Sequence, residues 1–232
     1  MTVRVTREAE PQIEIYGGYS GELLGGAEGT LAHTTFTPTG DYVLLVRKNS
    51  LNSPQLEAGN VPTSYIPTDG ATATRAADSL STAAAVLPYN GSGMSGALDC
   101  TINYTDNGSA AEATLFDWRA DVNNRITLTL DTSGANTGVL TLTMVNGGSS
   151  ASVSTTAQLT PGTEAVCKVA WYVNGSAINI ALDGTAETAT ATAIGVPDLS
   201  GADVVYDGNR VMYKSLLWGA VIGNTGIAEA SA

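Results

Sequence analysis

Apolar and polar residues alternate with a period of two along most of the chain, in short runs separated by Gly, Asn, Asp and Ser. This alternation is typical of half-buried strands, and the frequent turn residues favour antiparallel sheets over strand–helix–strand units. No segment carries a convincing amphipathic helical pattern. In the longer C-terminal part the pattern predicts strands at residues 96–104, 113–118, 125–130, 138–145, 149–157, 165–173, 177–182 and 213–221.

Turn signals lie where these predicted strands end. Asn146-Gly147-Gly148, Asn174-Gly175 and Asp183-Gly184 offer the left-handed or type I geometry that connects adjacent antiparallel strands. The sequence therefore predicts an all-β protein.

The N-terminal part carries a shorter series of predicted strands, at residues 3–5, 12–16, 31–36 and 41–46. Strands this few and this short bury too little apolar surface for an independent sandwich, so this part should need another surface. We expect a short β-rich docking and oligomerisation unit, a linker and a second β-domain, at residues 1–65, 66–78 and 79–232 respectively.

Residues 54–79, reading PQLEAGNVPTSYIPTDGATATRAADS, are predicted to be a junction rather than a core element or a catalytic motif. Pro54, Pro62 and Pro67 fix their own φ and push the preceding residues into extended conformations, so a helix cannot run through. The segment resembles the junction that follows the last strand of a carbohydrate-binding-module-like jelly roll in bacteriophage tail and fibre proteins. The region before it is shorter than a complete jelly roll, which favours an anchor over a sugar-binding domain.

A second resemblance covers residues 96–229. The pieces GALDCTINY, TLFDWRADVNNRITLTL, AVCKVAWYVNGSAINIALDG and VMYKSLLWGAVIGNTGIAEA resemble a laminin-G-like or concanavalin-A-like jelly roll of the type found in phage tail proteins. The resemblance implies an antiparallel β-sandwich whose last strand is followed by a short helical tail. The expected fold is thus a short N-terminal β-unit followed by this jelly roll.

The charge balance excludes two classes of partner. The formal net charge is −12, with Lys and Arg contributing 10 residues in total. Ten cations cannot build a basic face against that field, so nucleic acid and anionic membrane surfaces are not expected to be partners. The N-terminus, MTVRVTREAE, lacks the apolar core of a signal peptide, so we expect assembly in the host cytoplasm and release by assembly or lysis.

Cys100 and Cys167 both lie in alternating segments, on the side that carries the apolar residues. Both are expected to point inward, either as buried thiols of a cytoplasmically assembled protein or as a disulfide across adjacent strands. Neither has the closely spaced Cys or His partners of a zinc site.

The residues needed for catalysis are poorly represented. Glycoside hydrolysis needs two carboxyl groups held across the scissile bond, and the nearest candidates, Glu112 and Asp117, are five residues apart and predicted to lie on opposite strand faces. His33 is the only histidine in the sequence, in the alternating run LAHTTF, with nothing nearby to orient it as a base. We therefore expect no enzymatic activity.

Calcium is the one cofactor that stays open, because laminin-G-like domains often bind it through loop carboxylates. No other cofactor is expected. Turn chemistry explains each candidate carboxylate equally well. The candidates are Asp106, Asp131, Asp203 and Asp207, all in Gly-rich or Asn-rich loops.

Trp118 is the aromatic residue singled out for glycan binding, whereas Trp171 and Trp218 lie in apolar strands and are expected to pack in the core. Trp118 stands beside Asp117, Arg119 and Asp121, so one short segment combines a stacking face with hydrogen-bond donors and acceptors. The alternative is a partly buried aromatic at the rim of the sheet.

Together these features predict a non-enzymatic virion surface protein of a tailed phage, either a tail fibre or tail-tip protein or a head decoration or head fibre. It would dock through its N-terminal unit onto other virion proteins, form a trimer, and display the jelly roll on the virion surface, where a host glycan is the expected ligand. The alternative hypothesis is a carbohydrate-binding module associated with a polysaccharide-degrading enzyme.

Overall fold

The computed structural model divides the chain into two compact units, Met1–Ala77 and Asp78–Ala232. It describes the backbone of residues 2–7, 13–17, 31–35, 42–46 and 51–57, and then residues 66–67, 71–73, 80–102, 104, 112–161, 165–206 and 210–232.

The described part of the first unit forms two small antiparallel sheets. Its strands are β1 Thr2–Arg7, β2 Ile13–Gly17, β3 Leu31–Thr35, β4 Tyr42–Val46 and β5 Leu51–Glu57. One sheet has the strand order β3-β1-β5 and the other pairs β2 with β4. Each predicted strand of this unit is found within one or two residues, and β5 is additional.

Strand β5 corrects the prediction for the start of the junction segment. Pro54 was predicted to open a junction outside any core element, yet it lies inside β5, which pairs with β1. The pairing register shifts beside it, between Arg4 and Thr6 of β1. A proline has no N–H to donate to a neighbouring strand, so it is tolerated at a sheet edge or at such an irregularity, where no donor is required.

The second unit is an antiparallel β-sandwich, which confirms the predicted fold class. Its strands are β6 Leu80–Thr82, β7 Gly93–Ile102, β8 Glu112–Asp121, β9 Asn124–Asp131, β10 Leu140–Asn146, β11 Ser149–Ser154, β12 Ala165–Asn174, β13 Ala177–Leu182, β14 Thr185–Ala186, β15 Thr190–Ala191, β16 Val204–Tyr206 and β17 Arg210–Trp218. Sheet I has the order β11-β10-β9-β8-β16-β6, and sheet II has the order β14-β13-β12-β7-β17, with β15 also pairing β13. The chain crosses between the sheets after β6, β7, β11, β15 and β16.

The core lies between the two sheets and follows the alternation read from the sequence. Phe116 of sheet I packs against Trp171 of sheet II, with ring centroids 5.2 Å apart. Cys100 and Cys167 are both buried, which confirms the prediction that they point inward, and they are directly opposite each other in the register of β7 and β12.

Two hairpins confirm the predicted turn chemistry. Gly147 and Gly148 connect β10 to β11 with φ of 57° and 83°, and Asp183 and Gly184 connect β13 to β14 with φ of 47° and 80°. Two consecutive residues with positive φ form the turn whose twist matches that of the flanking strands.

A short helix, α1 (Gly223–Ala230), follows the last strand, as the resemblance to the laminin-G-like jelly roll implied. Ile227 is buried and anchors the helix on the outer face of sheet II, over the small residues Ala97, Ala170 and Ala181. Trp218, which was expected to pack in the core, is only partly buried and packs against this outer cluster, so that prediction was wrong. None of the helices in the described ranges is long and apolar enough to cross a membrane.

Candidate functional site

Trp118 does not present a stacking face, which corrects the prediction made from its charged neighbours. Its side chain is 1% exposed and belongs to the core between the sheets. The indole Nε1–H donates to the carbonyl oxygens of Ala202 at 2.9 Å and Leu199 at 3.2 Å, and Tyr89 packs edge-on against the ring. The loop before β16 therefore covers the indole ring, which the sequence predicted to be exposed or only partly buried at the rim of the sheet.

Asp117 and Arg119 lie together on the outer face of sheet I. Alternation along β8 turns them outward, since Phe116 and Trp118 point into the core. Arg119 Nη2 lies 3.0 Å from Asp117 Oδ2, and its Nε donates to Oδ1 at 3.2 Å. The side chains are 45% and 21% exposed, for Arg119 and Asp117 respectively, so this pair contributes little to stability and remains accessible to a ligand.

Arg125 lies beside Asp117 and Arg119 on the outer face of sheet I, although it was not among the residues predicted from the sequence. The tight hairpin between β8 and β9 places Arg125 opposite Arg119 in register, and its guanidinium donates to the carbonyl of Val122. Two like charges directly opposite each other in a sheet are unfavourable. In a chain of net charge −12, Arg119 and Arg125 form a local concentration of cations on sheet I. The hairpin spacing in DWRADVNNR was the signal that could have identified it.

Asp121, the fourth residue predicted to bind a glycan, has its carboxylate engaged in the hairpin turn between β8 and β9. Its carboxylate accepts hydrogen bonds from the backbone N–H of Asn123 at 2.7 Å and from Asn124 Nδ2 at 3.0 and 3.1 Å. The side-chain bond from Asn124, followed by the backbone bond from Asn123, holds the pKa of Asp121 below its usual value. Bonds to the charged form favour that form.

Threonine and serine side chains cover much of the outer face of sheet I around this charged group. One row across neighbouring strands contains Asp117, Thr127, Thr143 and Ser152 in direct register. Thr127 is buried at 6% exposure, so the accessible hydroxyl groups of this row are those of Thr143 and Ser152, on adjacent strands about 4.8 Å apart.

The two carboxylates considered for hydrolysis are on the same face, which corrects the expectation that they oppose each other. The register shifts between Thr114 and Phe116, and Leu115 and Phe116 are both buried, so a β-bulge returns Glu112 and Asp117 to the outer side. Their partners on β9 are four residues apart, which places the two positions about 13 Å apart along the sheet. Glycosidases hold their carboxyl groups roughly 5–9.5 Å apart.

The calcium candidates that the structure describes accept backbone hydrogen bonds, within a turn for Asp131 and between distant segments for Asp203. Asp131 Oδ1 accepts from the backbone N–H of Ser133 at 2.9 Å, and Asp203 Oδ1 accepts from that of Ala84 at 2.8 Å. Asp106 and Asp207 lie outside the described residues. Within the described ranges, no three His, Cys, Asp or Glu side chains come close enough to hold a metal ion. The backbone of His33 lies in β3, opposite Arg4 of β1 in register.

Comparisons of the sequence with known proteins give no relative. No protein-family model matches it. No curated protein matches it either.

Comparison of the structure with solved structures gives remote similarities among binding domains. The binding domain of botulinum neurotoxin serotype D has a TM-score of 0.47 and 10% identity over 63% of this chain, which spans only 37% of that structure. The binding domain of botulinum neurotoxin DC in complex with SialylT gives 0.49 and 11%, over 60% of this chain and 35% of that one. The CBM40 of Ruminococcus gnavus IT-sialidase, bound to α2,6-sialyllactose, gives 0.47 and 12%, over 62% and 85%. At this level of similarity neither a ligand nor a role is transferred to this chain.

Proposed function

We propose that this chain is a non-enzymatic surface protein of a tailed phage virion. The observation that carries the proposal is the division into a small β-unit and a larger β-sandwich, joined by a sequence that resembles the junction in phage tail and fibre proteins. The first unit would dock onto the particle, and the sandwich would be displayed on the virion surface, as part of a tail fibre, tail tip, head fibre or head decoration.

The form of the first unit supports a docking role. Among the described residues of this unit, the two sheets have three and two strands, so four of these five strands lie at a sheet edge or in a two-stranded pair. Small sheets with open edges gain stability from pairing with another chain. We therefore propose contacts with other virion proteins and a trimer of this chain, assembled in the host cytoplasm.

The outer face of sheet I supports a role in glycan adhesion. Asp117, Arg119 and Arg125 offer charged donors and acceptors beside rows of hydroxyl groups. Saccharides present hydroxyl groups that both donate and accept hydrogen bonds, so such a face is chemically suited to them. The separation of Glu112 from Asp117 favours binding over hydrolysis.

Two measurements on the purified full-length chain test this proposal. Light scattering gives its mass in solution, and co-sedimentation gives its binding to virions that lack it. We expect a trimer, or a chain that binds the particles, and we expect residues 78–232 alone to lose that binding. A monomer that does not bind virions would contradict the proposal and favour the carbohydrate-binding module of a polysaccharide-degrading enzyme.

A further inference from the structure

A β-bulge turns one aromatic side chain outward on sheet II. The register of β17 against β7 shifts between Met212 and Lys214, so Tyr213 is the extra residue. Met212 packs against the core, whereas Tyr213 is 63% exposed, the highest value among the aromatic side chains whose exposure the structure describes. A bulge re-aims a side chain and is over-represented next to functional sites.

A hydrogen bond holds the position of this ring. Thr101 of β7 donates from Oγ1 to Tyr213 Oη at 3.1 Å, and Thr101 is itself buried. Thr101 is an outward-facing residue, because Cys100 and Ile102 on either side of it point into the core. The Tyr213 ring is therefore fixed over the outer face of sheet II with much of its surface open to solvent. A fixed, exposed aromatic ring is the group on which sugar rings stack.

A row of alternating charges crosses the sheet beside Tyr213. Lys168 of β12, Asp99 of β7 and Lys214 of β17 are directly opposite one another in register. Directly opposed side chains have Cβ atoms about 4.5–5.5 Å apart, so the row presents a donor, an acceptor and a donor in sequence. Asp99 is two residues from Thr101 along β7, so the charged row lies roughly 7 Å from Thr101, the residue that holds the Tyr213 ring.

The row forms one side of a groove of about 330 Å³ under the end of α1. Leu216, Trp218 and Glu229 also line it. Lys168 Nζ donates to the carbonyl of Ala232 at 2.9 Å, and both residues line the groove. Its volume is at the lower end of the range for small-molecule pockets.

We propose that Tyr213 and the row Lys168–Asp99–Lys214 form a binding site for a neutral pyranose saccharide. This inference rests on the proposed role in glycan adhesion and places a site on sheet II, away from the segment chosen from sequence. One sugar ring stacks on Tyr213, and its hydroxyl groups bond the carboxylate of Asp99 and the ammonium of Lys214. The ligand is neutral because Asp99 and Glu229 offset the two lysines, and the net charge of −12 repels acidic sugars.

The test is a titration of the full-length chain with neutral oligosaccharides of glucose, galactose, mannose and N-acetylglucosamine, with 3′-sialyllactose as the acidic probe. We expect binding of at least one neutral oligosaccharide, a loss of affinity of tenfold or more in Tyr213→Ala, and a change of less than about threefold in Tyr213→Phe, which keeps the ring. Val86→Ala, at a residue that is 73% exposed and lies outside both sheets, is the control and should leave this affinity unchanged, whereas Arg119→Ala reports separately on the outer face of sheet I. Because most of Tyr213 is exposed, the unfolding midpoint of Tyr213→Ala should fall only slightly, through loss of the hydrogen bond from Thr101.

Three outcomes would overturn the inference. Neutral glycan binding that survives in Tyr213→Ala and is lost in Arg119→Ala would place the site on sheet I and leave the proposed adhesion role intact. Binding of 3′-sialyllactose alone would contradict the ligand class. Absence of binding to every probe would reject this site, while docking to virions, measured separately, would still decide the virion role.

Discussion

Two tryptophans fill the centre of the sandwich and differ in what their indole N–H groups contact. Trp118 and Trp171 are both at most 1% exposed. Trp118 donates to two backbone carbonyls, whereas Trp171 Nε1 has no hydrogen-bond partner within the described residues. A buried donor without a partner keeps its desolvation penalty, so the same side chain has a different energetic balance at the two positions.

Replacing each tryptophan by phenylalanine measures this difference. Both changes remove the same volume from the core, but only Trp118→Phe removes a hydrogen-bonded donor. The Ala202 carbonyl loses the indole N–H, whereas the Leu199 carbonyl keeps its bond from the backbone N–H of Ala202. We expect Trp118→Phe to lower the free energy of unfolding by about 1–2 kcal/mol more than Trp171→Phe. Chemical denaturation of the two variants gives the comparison, and an equal loss in both would contradict the assigned hydrogen bonds.

The Asp121 carboxylate gives a prediction of pH dependence. Its pKa is lowered in the folded chain, mainly by the side chain of Asn124. Its contribution to stability is therefore present above the unfolded-state pKa and is lost as the pH falls through the lower, folded-state value. An NMR titration of the carboxyl carbon should show a midpoint below the ordinary value, and Asn124→Ala should raise it. A midpoint unchanged by Asn124→Ala would assign the shift to another group.

Among the secondary-structure elements, the strands that the sequence predicts well are those in which apolar and polar residues alternate over a long, uninterrupted run. Strand β13 was predicted with its exact bounds, since six alternating residues end at an Asp-Gly turn. The three-residue strands β6 and β16 were missed, because so short a run has no period to detect. Helix α1 carries two glycines and no side-chain N-cap, so its formation depends on packing against sheet II.

The dependence of α1 on packing can be tested at Ile227, which is 0% exposed. We expect Ile227→Ala to lower the free energy of unfolding by about 2–4 kcal/mol, through lost burial and the cavity left over Ala97 and Ala170. The exposed helix residue Thr225 is the control, and Thr225→Ala should stay within about 0.5 kcal/mol of the parent. Hydrogen exchange of the helix amides should rise only in the first variant. A loss in Ile227→Ala no larger than that in the control would show that the helix is not anchored there.

At the scale of the whole molecule, the sandwich contains a hydrophobic core of its own. Among the residues that the structure describes, the buried members of that core run from Met94 to Tyr206, within the unit Asp78–Ala232. A domain of this size buries enough apolar surface to fold alone. In the part of the first unit that the structure describes, five short strands form two separate sheets, neither large enough for such a core.

We therefore expect residues 78–232, expressed alone, to unfold in one cooperative transition. Its midpoint should lie within roughly 2–4 °C of the sandwich transition in the whole chain, the shift that about 1 kcal/mol produces at this size. Differential scanning calorimetry of the two proteins makes the comparison. A fragment without a cooperative transition would mean that the sandwich requires the first unit.

The sequence by itself determined the fold class, most strands, the hairpin turns and the inward orientation of Cys100 and Cys167, because alternation and turn chemistry are local properties of the chain. Only the tertiary structure decided the candidate sites. Trp118 is buried because a loop some 80 residues away covers it, and Tyr213 faces outward because the register of β17 against β7 shifts by one residue. Both results depend on pairings between distant segments, and a register shift of one residue reverses the face that a side chain occupies.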